Sequence, residues 1–128
     1  MITEKKINYI DRLYSSNLHK MHIFSNYDNA KTAYEYGYFE TALKMLLHMK
    51  EHDELDYSFF MLLGGVQHLL LRPEAPKTFE KAANLPNITI SQKLSAINRE
   101  IMSVNQGDHE AAKKARQLYD SVLSQYAN

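Results

Sequence analysis

Two histidines are the first residues in this chain whose type and spacing could support chemistry. His48 and His52 lie four residues apart in a helical pattern, which places both imidazoles on one helix face, where they can bind a metal ion. A zinc site needs three or four converging ligands, and only Asp53 or Asp56 in the following loop could add one. The pattern therefore favours an exposed polar helix face, and we expect no metal.

The remaining chemical candidates are weaker. His19 and His22 have no more support as metal ligands than the first pair. Gly64-Gly65 is not followed by the Lys and Ser or Thr of a phosphate loop, and the helical pattern continues through it, which favours close helix packing. Nothing marks a nucleophile elbow or a spaced pair of carboxylates in an apolar pocket. We expect a protein that is not an enzyme and has no cofactor.

Composition narrows the class of protein further. A chain of 128 residues fits one domain, 1–128, with its own core. The absence of Cys excludes disulfides and thiolate metal sites. Lys plus Arg and Asp plus Glu are both 15, so binding to nucleic acid or to an anionic membrane is not expected. Residues 1–20 lack the apolar run of a signal peptide, and the apolar segment around Leu70 is too short to span a bilayer. We expect no membrane insertion and a cytoplasmic location.

Apolar residues recur at helical spacing along the whole chain. With only 4 Gly and 3 Pro, this predicts an all-α fold. An N-terminal helix is expected within 1–22, followed by repeat helices within 25–126. The first three of these six helices are expected at about 25–36, 39–52 and 57–71, and Ser25 is the expected N-cap of the first. The next begins in the proline-containing break 72–76 and ends near 84. The last two are expected at about 91–105 and 108–126, and Asp108 is the expected N-cap of the last.

A hairpin signature occurs twice between these helices. Gly37 precedes Ala42 by five residues, and Gly107 precedes Ala112 by the same interval. Gly suits the left-handed backbone that ends a helix, and Ala lets the next helix approach closely. With Ala75, the alanines stand 33 and then 37 residues apart, close to the tetratricopeptide period of about 34 residues. The pattern predicts three helix pairs behind a leading helix.

The middle pair resembles a tetratricopeptide repeat at Phe60, Leu63, Gly64, Ala75, Phe79 and Ala82. The first pair is similar at Ala30, Gly37, Phe39 and Ala42, and the third at Gly107 and Ala112, departing at Arg116. Three short, degenerate repeats after an N-terminal helix resemble the class II chaperones of bacterial type III secretion. This resemblance implies a cytoplasmic bacterial virulence protein that keeps a secreted, hydrophobic, translocator-like partner soluble. The alternative is a tetratricopeptide scaffold or regulator that joins proteins in an assembly. Whether the chain is a monomer, a homodimer or part of a heterodimer stays open.

The first helix of each pair lines the concave face of such a superhelix. The alignment gives this face an apolar character with Tyr and Met, which suits an extended apolar peptide. The expected partner contacts are Tyr27, Tyr34, Met61, Leu62, His68 and Ile97. The alternative is that these residues are core, because a single repeat cannot bury its apolar face alone.

Overall fold

The computed structural model describes residues 3–16, 24–52, 55–104 and 107–127. Over these residues the chain forms seven α-helices and no strand. They are α1 (Glu4–Ser16), α2 (Tyr27–Glu35), α3 (Phe39–His52), α4 (Tyr57–Leu69), α5 (Ala75–Ala83), α6 (Ile90–Ser103) and α7 (His109–Ala127). The expected all-α fold is confirmed: α1 leads, and the pairs α2–α3, α4–α5 and α6–α7 each pack together. In the described part of the chain, no helix has the length and apolarity needed to cross a membrane.

The helices fall into two compact units, Met1–Leu55 and Asp56–Asn128. The single domain expected over 1–128 stays a prediction. In the first unit, α1 packs on α2, and the Thr41 hydroxyl of α3 donates a hydrogen bond to the Asp11 carboxylate of α1. Ile7 and Ile10 of α1 are fully buried. The leading helix therefore contributes to the core of this chain.

The turn between α2 and α3 depends on glycine. Gly37 has φ of +84°, the left-handed conformation that was expected there. Its N–H bonds the Tyr34 carbonyl at 3.0 Å, and the N–H of Tyr38 bonds the Ala33 carbonyl at 2.8 Å. These two bonds form a Schellman motif, which satisfies carbonyls that the end of a helix leaves free.

The same motif ends α4, with a leucine in the place of glycine. Leu71 has φ of +56°, its N–H bonds the His68 carbonyl at 3.0 Å, and the Arg72 N–H bonds the Gln67 carbonyl at 2.8 Å. Leu71 stands 34 residues after Gly37. One hydrogen-bonded turn thus recurs at the interval typical of tetratricopeptide repeats.

The observed N-cap of α2 differs from the expected one, and that of α7 agrees with it. Asn26 caps α2, accepting a bond from the backbone of the first turn, whereas the expected cap, Ser25, is a buried residue before it. Asp108 caps α7 as expected, accepting a bond from the Ala111 N–H at 3.1 Å. Gly107 does not adopt the left-handed backbone, so this glycine is not required by conformation in the way that Gly37 is.

Small residues set the packing of the pairs. Ala42 and Ala75 are buried, as expected of close-contact positions. In α7, Ala112 is only half-buried, and Ala115, one turn later, takes the buried place. The expected position in the third pair is therefore wrong by one turn.

A close approach in the second unit lies between α4 and α5 at Gly64. A Cβ atom built on Gly64 would lie 2.7 Å from Cε1 of Phe79, a distance that real Cβ atoms do not show. The Phe79 ring is fully buried, and the Arg99 guanidinium of α6 lies 5.0 Å from its centroid. Gly64 therefore permits the ring to lie against the helix backbone, and the expected close packing at this glycine is confirmed.

Candidate peptide-binding face

One side of α4 leaves apolar surface uncovered. Met61, Leu62 and His68 are half-buried, and Leu69 is 51% exposed. Helical periodicity places Met61, Gly65, His68 and Leu69 on one side. The opposite side carries buried residues such as Leu63 and Val66, so the helix has a core face and a part-exposed apolar face.

The first helix of the next pair has the same division. On α6, Met102 is 59% exposed, and Asn98, one turn before it, is exposed on the same side. Leu94, Ile97 and Ile101 follow one another at helical spacing on another side, where Leu94 and Ile101 are half-buried and Ile97 is 0% exposed. The expected partner contact at Ile97 is therefore wrong for this conformation, because the side chain is core and offers no surface.

The two faces belong to neighbouring helices. The Tyr57 hydroxyl of α4 donates to the Gln92 carbonyl of α6 at 2.8 Å. Further along, a Cβ built on Gly65 would lie 3.2 Å from Nη2 of Arg99. We define the α4–α6 face as the part-exposed apolar residues Met61, Leu62 and Leu69 of α4 and Met102 of α6, with His68, Asn98 and Arg99 as its polar members.

Charge on this face comes from Arg99, which is half-buried between α4 and the Phe79 ring. Burial raises the pKa of the Tyr57 phenol, and the positive charge of Arg99 acts against that rise. A guanidinium beside apolar side chains can bind a carbonyl or carboxylate group of a chain lying on the face. The face can therefore hold apolar side chains and one acceptor group.

The contacts expected on α2 lie in the other unit. Tyr27 and Tyr34 are half-buried, and the Tyr34 ring packs on Phe39 with centroids 5.8 Å apart. Tyr34 therefore contributes to the α2–α3 hairpin and keeps part of its surface exposed. A groove crossing α2, α4 and α6 stays a prediction, because α2 belongs to Met1–Leu55 and the α4–α6 face to Asp56–Asn128.

A cavity of about 630 Å³ lies among α5, α6 and α7. Its lining includes Glu80 of α5, Glu100 of α6 and Lys114 of α7. Glu100 is 9% exposed and lies beside Glu80. Burial, with the charge of Glu80, raises the pKa of Glu100 to about 7, against the opposing charge of Lys114. Sequence reasoning missed this pair, although Glu100 follows Ile97 at the spacing of a buried helix face.

Metal-binding side chains do not converge in the part of the chain that the structure describes: no three of His, Asp or Glu there could hold an ion. His48 is half-buried on α3. Asp56, one of the loop carboxylates considered as a ligand, caps α4 by accepting a bond from the Phe59 N–H at 2.9 Å. His19, His22, Asp53 and the side chain of His52 lie outside the described residues.

Comparisons of the chain with family models, with curated proteins and with solved structures found no match. The fold defines the class, an all-α protein built from helix pairs behind a leading helix.

Proposed function

We propose that this chain is a binding protein and that the α4–α6 face holds an extended, partly apolar segment of another protein. The observation that carries the proposal is the apolar surface left open on two adjacent helices, most of all at Leu69 and Met102. Large apolar side chains that are exposed together often mark an interaction site, whereas single ones scattered over a surface do not. Methionine adapts to irregular partners, which suits the recognition of segments that vary in shape.

We further propose that the partner is a secreted, hydrophobic protein of translocator type, and that the chain is its cytoplasmic chaperone in bacterial type III secretion. The resemblance at Phe60, Leu63, Gly64, Phe79 and Ala82 supports this, and so does the turn that recurs after 34 residues. Such a chaperone needs no nucleotide, because covering an apolar segment is enough to suppress aggregation. The second candidate is a scaffold or regulator that uses the same face to join soluble proteins.

The experiment is affinity capture of the tagged chain from its native host, followed by mass spectrometry. A chaperone should capture one dominant protein with long apolar segments, and that protein should become insoluble when the chain is deleted. Capture of several soluble proteins, each of which stays soluble without the chain, would favour the scaffold.

The binding face is tested on the captured partner by titration calorimetry. Leu69→Ser and Met102→Ser change exposed side chains, so folding should survive, and each should weaken binding by about tenfold. Leu47→Ser is the matched control, since Leu47 is 41% exposed on α3 and lies outside the face. Parent-like affinity in both face variants would contradict the proposed surface, whatever the partner proves to be.

A further inference from the structure

Two carboxyl groups meet where α5, α6 and α7 pack together. Glu100 of α6 is 9% exposed and lies beside Glu80 of α5, whose charge acts on it. Burial of one carboxyl group beside another favours a proton on one of them. Both side chains line the 630 Å³ cavity, through which a proton can be exchanged.

The charges around Glu100 come from each neighbouring element. Helix α5 contributes Glu80 and, on the cavity wall, Lys77. Helix α7 contributes Lys114, and Asp108 lines the cavity just before that helix. Helix α4 contributes Tyr57, whose hydroxyl bonds α6 near its start, about two turns from Glu100.

We propose that the Glu80–Glu100 pair makes the α5–α6–α7 junction a pH-sensitive joint, packed while the pair holds its proton and loosened when both carboxyls are charged. Two carboxylates beside each other repel, and the burial of Glu100 removes most of the water that would screen its charge. Lys114 is the cation that acts on Glu100, and it offsets only part of this repulsion. Because α6 also carries part of the α4–α6 face, the joint connects the protonation state of the pair to that surface.

The direction of the effect follows from proton binding. The pKa of Glu100 rises from 4.5 to about 7 on folding, so between these values the folded chain holds a proton that the unfolded chain has released. The stability contributed by the protonated pair is therefore complete below about pH 4.5 and is lost as the pH rises through about 7. At higher pH the contribution of this group no longer changes.

The test is thermal unfolding, followed by circular dichroism, at a series of pH values from about 5 to about 8. The midpoint of the parent chain should fall across this range, and Glu100→Gln should remove most of the fall, because an amide does not titrate. Glu80→Gln should reduce the fall without removing it, because burial, the largest cause of the raised pKa of Glu100, remains, and it serves as the test if Glu100→Gln does not fold. Glu110→Gln, at an exposed position on α7, is the matched control and should keep the parent profile.

A variant of the neighbouring cation tests the direction in which the pKa of Glu100 moves. Lys114→Gln removes the charge that lowers the pKa of Glu100, so the loss of stability should move to higher pH. A carbon-detected NMR titration should place the Glu100 carboxyl near neutrality in the parent chain, and amide exchange in α6 and α7 should speed up, beyond its intrinsic pH dependence, across the same transition. A parent-like pH profile in both glutamine variants, or a Glu100 resonance that titrates in the ordinary range of glutamate, would overturn the proposal.

Discussion

Replacing Gly64 by alanine tests the close packing of α4 on α5. The added Cβ would lie 2.7, 2.8 and 2.9 Å from three atoms of the Phe79 ring, whereas ordinary contacts begin at 3.4 Å. The ring is fully buried, with the Arg99 guanidinium 5.0 Å from its centroid, so it has little room to retreat. Such overpacking costs about 1–3 kcal/mol, and the better helix propensity of alanine returns about 1 kcal/mol. We expect Gly64→Ala to lower the free energy of unfolding by up to about 2 kcal/mol.

The neighbouring glycine provides the matched control. A Cβ on Gly65 would meet only Nη2 of Arg99, at 3.2 Å. This atom is the end of a long, half-buried side chain that can shift, so the gain in helix propensity should dominate. Gly65→Ala should therefore be neutral or stabilise the chain by up to about 1 kcal/mol.

Urea denaturation followed by circular dichroism measures both variants. The midpoint should fall for Gly64→Ala and should not fall for Gly65→Ala, with similar slopes. Combining Gly64→Ala with Phe79→Leu should cost less than the sum of the single changes, because a smaller side chain leaves room for the new methyl group. Equal effects of the two alanines, or additive costs in the double variant, would refute the idea that the ring rests on the backbone at Gly64.

Four further changes test other features of the chain by urea denaturation. Leu71→Gly should stabilise the chain by about 1 kcal/mol, because Leu71 is 88% exposed and held at positive φ. Gly37→Ala should destabilise the chain by a similar amount, because alanine is strained at positive φ. Changes of the same sign in the two variants would contradict the strain argument. Thr78→Val should cost about 1–3 kcal/mol, because the hydroxyl donates to the buried Gln67 side chain at 2.5 Å and its loss leaves that oxygen without this donor; a neutral result would show that water or another group replaces it. Thr89→Ala should cost about 1 kcal/mol by breaking the capping box of α6, and parent-like stability would mean that this cap contributes nothing.

Features that depend on neighbours in the sequence were predictable. Helical spacing predicted the seven helices, and the left-handed glycine at Gly37 and the cap at Asp108 follow from local backbone chemistry. The close packing at Gly64 was also predicted, because neither a phosphate loop nor a turn explained a glycine in a continuous helical pattern.

Features that depend on distant residues were not predictable in the same way. Periodicity gives α6 an apolar face, but it does not say which residues another helix covers, so Ile97 was assigned to the surface. The left-handed turn at Leu71 lacks the glycine that would mark it in the sequence. Glu100 has the residue type of an exposed position, and only the packing of α5 and α7 around it makes it a buried acid.

The position of Phe79 also has a consequence for motion. The ring rests on the α4 backbone at Gly64 and has a guanidinium near it, so it cannot turn over within the hairpin as it is packed. A half-turn of the ring requires α4 and α5 to separate briefly, and such collective openings are far slower than the rotation of exposed side chains. The two edges of the ring should therefore give separate signals in a proton NMR spectrum at low temperature. The temperature at which they merge would report how often the central hairpin opens.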